Sequence, residues 1–248
     1  MNFKQLLEQE HQKLQTIFKE ADEQRDQLLR DQALSISEQI IDQILSMDLQ
    51  TFTASSSNFR AFAEDRVGFF IVHLGVQEKE YNIAFFEDGM IGEGGFSKVD
   101  RNTGLENVIM VYGIDFDKPE GTLEDCLERF QFFLEDNEQR IQTALFHEII
   151  HGLDYERGEI PSTTGTSRTK SNQDYYQHGL ELNAYYQEAI NQFERVADPE
   201  QLQHVSFEYF WKLMEDQFFD PSFVNYMDVD TERKIRKRLY QYWFKFQR

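Results

Sequence analysis

Residues 145–155 read LFHEIIHGLDY, and HEIIH within this stretch separates two histidines by four positions. Residues i and i+4 of an α-helix lie on the same face, so His147 and His151 can direct both imidazole rings at one point. The two residues before the first histidine and the two isoleucines inside the stretch give the helix an apolar side to bury. The stretch therefore predicts a buried helix that offers two ligands to one metal ion.

The glutamate next to the first histidine suits general base catalysis. Glu148 lies about 100° around the helix from His147, near enough to reach a metal-bound water without ligating the metal itself. Cys126 is the single cysteine, so the ligands of a metal here must be histidine and carboxylate. Zinc (Zn2+) at such a site makes its water more acidic, and a carboxylate can pass the released proton to a departing amine. These residues predict amide hydrolysis.

A hydrolytic zinc site needs three protein ligands, so another segment must supply the third. HExxH followed by a downstream ligand resembles the signature of the zincin metallopeptidases. The metzincin form, HExxHxxGxxH, does not fit, because Asp154 and Arg157 stand at its later positions. The gluzincin form takes a glutamate from a following helix, often in ExxxD or ExxA, and residues 181–184 read ELNA. The resemblance implies that Glu181 is the third ligand.

The combination of HExxHxxD with a later ExxA also resembles small metallopeptidases such as the mitochondrial ATPase-assembly processing family. This likeness covers only the two helices that carry the motifs. What it implies is a gluzincin-type zinc metalloendopeptidase with Glu148 as the base.

Four neighbours of Glu181 have open or secondary roles. His178 is an alternative ligand, or a group that stabilises the substrate oxyanion, or a solvent-facing residue. Tyr185 is a candidate oxyanion donor, because it points to the same side of the helix as Glu181. Asp154 is expected to accept a ring N–H from a ligand histidine, with a surface or capping role as the alternative. Glu188 is expected to be an ordinary surface acid.

Three short runs of aromatic and β-branched residues precede the HEIIH helix and predict a sheet of about three strands. They span residues 67–75, 81–89 and 106–116, and the glycine-rich segment 90–104 separates the last two. The resemblance to zincins implies an edge strand along which a peptide substrate lies extended. We expect residues 106–114 to be that edge.

Helical periodicity covers most of the remaining chain. It predicts two helices before residue 50 with a break at 30–34, a helix beginning at Thr122, the HEIIH helix from about Asn137, and helices at 174–196, 199–218 and 230–247. The polar segment 157–173 is predicted to be a loop, which could act as a lid, a specificity loop or an inhibitory segment, or could be a surface loop without a regulatory role.

The predicted fold is α+β and predominantly helical, with a small sheet before the HExxH helix of a zincin-like core. The turn-prone segment 51–58 is the best boundary. We expect an N-terminal helical hairpin at 1–50, the catalytic core at 59–196 and C-terminal helices packed on the core at 197–248.

The composition of the chain limits the classes of partner that it can bind. The 248 residues carry a formal net charge of −20, which disfavours nucleic-acid binding through phosphates and weakly favours basic substrates. The first thirty residues are too charged for a signal peptide, and no apolar run is long enough for a membrane span. We therefore expect a soluble, cytoplasmic protein that acts on a protein or peptide substrate, with its oligomeric state left open.

Two other functions compete with a peptidase. One is a helical scaffold or interaction protein that retains a zincin core without catalysis. The other is a metal-dependent hydrolase of a non-peptide amide. A variant in which Glu148 is replaced separates the scaffold from the enzymes, since only an enzyme loses turnover.

Overall fold

The computed structural model describes residues 3–51, 70–86, 94–99, 104–113, 122–158 and 179–247. These ranges form a mostly helical α+β fold with a small mixed sheet, in agreement with the predicted class. Its elements are α1 (Phe3–Leu45), β1 (Phe70–Val76), β2 (Lys79–Phe85), β3 (Gly94–Val99), β4 (Glu106–Val111), α2 (Leu123–Asp136), α3 (Glu138–Glu156), α4 (Gly179–Val196), a 3-10 helix (Pro199–His204), α5 (Phe207–Gln217), α6 (Pro221–Tyr226), α7 (Val229–Phe244) and a 3-10 turn (Lys245–Gln247).

The sheet has four strands in the order β1-β2-β4-β3. β1 and β3 run antiparallel to their neighbours, whereas β2 and β4 are parallel. The predicted count of about three strands is too low, because Gly94–Val99 forms a strand inside the glycine-rich segment. The prediction that residues 106–114 form the edge is also wrong, since β4 lies between β2 and β3. Within the described sheet, the strand at that edge is β3.

A single helix replaces the predicted N-terminal hairpin. α1 is 43 residues long and passes without interruption through residues 30–34, so the expected break is wrong. The helix contains no glycine or proline, and nothing in its sequence stops helical hydrogen bonding. Buried residues recur along its described side chains at helical spacing, including Ala33, Ile36, Ile40 and Ile44. The predicted boundary at 51–58 lies, beyond Thr51, outside the described residues.

α2 and α3 both begin at the positions that the sequence predicts. The Thr122 hydroxyl accepts a hydrogen bond from the backbone N–H of Asp125, and the Asp125 carboxylate accepts one from the backbone N–H of Thr122. This capping box confirms the predicted start of α2. α3 begins directly after Asn137, as predicted.

The C-terminal part differs from the prediction at one point. Residues 199–218 were expected to form one helix, but they form a 3-10 helix and then α5. Ser206 separates the two, because its hydroxyl accepts a hydrogen bond from the backbone N–H of Tyr209 and so caps a new helix. α7 confirms the predicted last helix to within a few residues.

Two apolar clusters meet at α4. The first joins one face of the sheet to α1, α2 and α3, and it includes Ala184 of α4. The second joins the opposite part of α4 to the helices that follow, through residues such as Ile190 and Phe193. The helix that carries Glu181 therefore contacts both halves of the molecule. Within the described ranges, no helix combines the length and the apolar character that crossing a membrane requires.

We expect Phe130→Ala to lower the free energy of unfolding by about 3–5 kcal/mol, the usual cost of truncating a buried aromatic residue. The Phe130 side chain is fully buried on α2 and packs edge-to-face on Phe85 at 5.0 Å between ring centroids. Phe132 of the same helix is 66% exposed, so Phe132→Ala is the matched control and should change stability little. Urea unfolding of both variants measures the difference, and equal losses would contradict the assigned core.

Candidate metal centre

α3 is enclosed along the part that carries the HEIIH residues. It contacts α1, α4 and the sheet, and residues 144–151 are all buried. Even the three polar side chains of the stretch are shielded, with His147 at 7%, Glu148 at 5% and His151 at 8% exposure. Polar and charged side chains are rarely buried without a partner, because leaving water is costly for them. The stretch thus needs a specific set of partners.

Glu181, in the first turn of α4, supplies a carboxylate opposite both histidines. Its Oε2 lies 3.4 Å from His147 Nε2 and 3.3 Å from His151 Nε2, and the residue is 3% exposed. One ligand atom from each of the three residues lies within 4.8 Å of the other two. The structure therefore brings the predicted ligands together in a buried group that could hold a metal ion.

His147 and Glu181 stabilise each other's charged form. Burial acts to lower the pKa of His147, but hydrogen bonds to Glu181 and Glu188 outweigh it and raise the pKa well above its usual value. Burial acts to raise the pKa of Glu181, but the charge of His151 and the hydrogen bond from His147 outweigh it and lower the pKa. The Glu181 carboxylate is therefore ionised and supplies a negative charge to the group.

One nitrogen of the group fits a metal better than any described protein partner. His151 Nε2 is buried and makes no hydrogen bond with a described residue, although it lies close to Glu181. A buried ring nitrogen that faces two other potential metal-binding side chains without a hydrogen bond is what is expected of a ligand nitrogen. Two imidazoles and a carboxylate form a donor set that suits zinc. The residues present therefore fit the ion.

Glu188 orients His147, a role that the sequence did not predict. The Nδ1–H of His147 donates to Glu188 Oε2 at 2.9 Å, which leaves Nε2 facing Glu181. Carboxylates often fix ligand histidines in this way. The expectation that Glu188 is a surface acid is therefore wrong, and its side chain is only 14% exposed. The available signal was its position seven residues after Glu181, on the same helix face.

Asp154 does not accept the ring N–H that was predicted for it. Its Oδ2 accepts a hydrogen bond from Asn183 Nδ2 at 2.6 Å, and its buried Oδ1 has no hydrogen-bond partner among the described residues. Burial raises the pKa of Asp154, and the hydrogen bond from Asn183 partly opposes that rise. Asp154 thus connects α3 to α4 instead of contacting a ligand histidine directly.

Glu148 packs against the edge strand. A Cβ built on Gly94 would lie 2.8 Å from Glu148 Cγ and 2.9 Å from Oε1, so only glycine leaves room for this carboxylate. One helical turn later, a glycine of the helix faces a side chain of the strand. A Cβ built on Gly152 of α3 would lie 3.1 Å from the Phe96 ring of β3. Burial raises the pKa of Glu148 above its usual value. β3 and α3 therefore interlock at the predicted base.

For the predicted amide hydrolysis, we expect Gly94→Ala to displace the Glu148 carboxylate and to lower kcat/KM by up to about 100-fold, as small misplacements of reacting groups do. The flexible glutamate can move away, so zinc content and fold should persist. Gly75→Ala in β1 is the control, since a Cβ there meets no atom within 4 Å. Kinetics with metal analysis of both variants test this, and full activity of Gly94→Ala would contradict the contact.

Tyr185 lies beside the predicted ligands. Its ring centroid is 4.7 Å from that of His147 at an interplanar angle of 67°, and the same ring stacks on Phe223 of α6 at 4.8 Å between centroids. The aromatic residue thus links the C-terminal helices to the histidine. His178 and residues 159–173 of the predicted loop lie outside the described residues.

Comparison with family models, with curated proteins and with solved structures gave no match to this chain. The functional assignment therefore depends on the geometry of the site and on the residues that form it.

Proposed function

We propose that this chain is a zinc-dependent metallopeptidase of the gluzincin type. His147, His151 and Glu181 would hold the ion, and Glu148 would act as general base. The observation that supports this most strongly is the convergence of two imidazoles and a carboxylate from separate helices in one buried cluster. When bound there, zinc supplies a Lewis acid that acidifies water and polarises an amide carbonyl.

Glu148 has the surroundings of a base. It is buried beside the ligand cluster, and burial raises its pKa, which makes proton uptake easier than for a glutamate in water. In the proposed reaction its carboxylate takes a proton from the attacking water and delivers it to the departing amine. Gly94 leaves room for that carboxylate against β3, and Glu188 holds His147 in the orientation in which Nε2 faces the cluster.

β3 is our candidate for the strand that binds an extended peptide. It ends the described sheet on the side where the sheet meets α3, and it touches Glu148 through Gly94. A peptide added to this edge would pair by backbone hydrogen bonds, and its scissile bond would run past the base. Tyr185 is the candidate donor to the oxyanion, and its ring contact with His147 supports that role. The acidic chain favours basic peptides.

We expect the purified protein to cleave members of a mixed peptide library, with cleavage abolished by a zinc chelator and restored by added zinc. Loss and recovery should follow the metal content, because the ion is required for the reaction. Mass spectrometry of the products measures cleavage directly. A zinc-loaded protein that leaves every peptide intact would contradict the proposal and favour a non-peptide amide as substrate.

A further inference from the structure

A side-chain bridge joins the two ligand-bearing helices one turn away from the ligands. Asp154 follows His151 by three residues on α3, and Asn183 follows Glu181 by two residues on α4. The Asn183 amide donates to the Asp154 carboxylate at 2.6 Å. Asp154 is 2% exposed, so water does not replace this bond if the amide turns away. The bridge therefore constrains how α3 and α4 lie against each other at the cluster.

The last helix of the chain fixes the orientation of that amide. Arg238 of α7 donates from Nη2 to Asn183 Oδ1 at 2.9 Å. The same Nη2 is 2.9 Å from Asp26 Oδ2 of α1, and the guanidinium lies over the Tyr186 ring at 3.8 Å from its centroid. An amide has one donating and one accepting end. With Arg238 bound to the oxygen, the Asn183 nitrogen must face Asp154.

A second arginine reaches the same amide through an intermediate. Arg30 of α1 is 3% exposed and donates to Gln187 Oε1 at 2.9 Å. Gln187 is fully buried and donates to Asn183 Oδ1 at 3.4 Å. Two residues one turn apart on α1, Asp26 and Arg30, thus contribute to holding one amide oxygen. The polar contacts continue from α1 and α7 to the helix turn that carries His151.

We infer that Arg238 and Asn183 are positioning residues for the metal centre, acting through Asp154. This inference depends on the proposed metal centre, and it gives the N-terminal and C-terminal helices a function in metal binding. Without Arg238 the Asn183 amide is no longer fixed, and the buried Asp154 carboxylate loses its partner in any rotated arrangement. The helices then adjust to satisfy Asp154, and the spacing of His151 and Glu181 changes with them.

The test measures metal affinity in Arg238→Met and in the matched control Arg236→Met. Both arginines lie on α7, both pair with a carboxylate on another helix and both contact an aromatic ring, but Arg236 contacts Glu208 and Trp211 instead of Asn183. Competition with a chromophoric chelator gives the Zn²⁺ affinity, and the visible spectrum of bound Co²⁺ reports ligand geometry. We expect Arg238→Met to weaken Zn²⁺ binding by about 10-fold or more and to alter the Co²⁺ spectrum, as loss of groups that orient ligands does. Arg236→Met should match the unaltered protein.

Rescue by lysine and a second variant separate positioning from general stability. The ammonium group of a lysine at this position can donate to both Asn183 and Asp26, so Arg238→Lys should recover much of the affinity and the spectrum. Asn183→Ala should weaken Zn²⁺ binding by a similar factor. It tests the same contact independently if Arg238→Met fails to fold. Unchanged affinity and spectrum in Asn183→Ala would overturn the inference. An unaltered protein that binds neither ion would instead show that the metal centre is wrong, and the inference would fail with it.

Discussion

Glu148→Gln is expected to lower kcat/KM for a cleaved peptide by about 10²- to 10⁴-fold, the usual contribution of a general base, while zinc remains bound. Glutamine has the shape of glutamate and can fill the space beside Gly94, but its amide cannot accept the proton of the attacking water. The ligand cluster is formed by three other residues, so metal content should stay near that of the unaltered protein. Steady-state kinetics and elemental analysis of the same preparation measure both quantities.

Glu138→Gln is the matched control for that variant. Glu138 lies on the same helix but is exposed at its first turn, so the change should leave turnover intact. A Glu148→Gln protein that cleaves peptides at the original rate would contradict the role of the base. The scaffold alternative makes a different prediction. The protein would cleave no peptide, and Glu148→Gln would leave its binding to a partner unchanged.

Glu181→Ala is expected to remove most zinc binding. The substitution deletes one of three ligands. Its effect on zinc affinity should be larger than that of removing a group that only orients a ligand, which lowers metal affinity about 10- to 100-fold. It also removes the carboxylate oxygen that lies within 3.4 Å of both histidine Nε2 atoms, so the ion loses the one anionic ligand of the three. We therefore expect a decrease of more than about 100-fold in zinc affinity, measured by chelator competition.

Glu135→Ala, on the exposed side of α2, controls for the loss of one negative charge from an acidic chain. Its zinc affinity should equal that of the unaltered protein. Zinc binding that survives in Glu181→Ala would show that the ion lies elsewhere or that another residue supplies the third ligand. His178, the alternative ligand, would then be the next residue to replace.

Local sequence rules predicted the parts of the site that lie on one element. The i and i+4 spacing puts His147 and His151 on one face, and their ring centroids are 4.9 Å apart. Thr122 was predicted to start α2 because its hydroxyl can accept from the helix backbone, which it does. Such features depend on a few adjacent residues, so they can be read without knowing the tertiary fold.

β3 was missed because its formation depends on a partner strand. Its sequence GGFSKV contains few strand-favouring residues, and its described side chains are of intermediate or high exposure, so no alternation marks it. Pairing with β4 from Gly94 to Val99 supplies the hydrogen bonds that its composition does not predict. Because β3 pairs with β4, the strand predicted to be the edge lies inside the sheet. On that side of the sheet, the edge that a peptide could join is therefore β3.

Glu188, and not Asp154, accepts the ring N–H of a ligand histidine, and the sequence did not predict this for a similar reason. Both residues lie on the correct helix faces, but which carboxylate reaches a given histidine depends on how α3 and α4 lie against each other. That placement involves Arg238 and Asp26, which are far from the motif in sequence. A motif confined to residues 147–184 contains no information about such distant partners.

Anomalous diffraction at the zinc edge, from crystals of the zinc-loaded protein, would locate the ion directly. The proposed metal centre requires a single strong peak at ~2.0–2.2 Å from one nitrogen each of His147 and His151 and from a carboxylate oxygen of Glu181. A peak at other residues, or these three side chains turned to different parts of the molecule in the loaded protein, would contradict it.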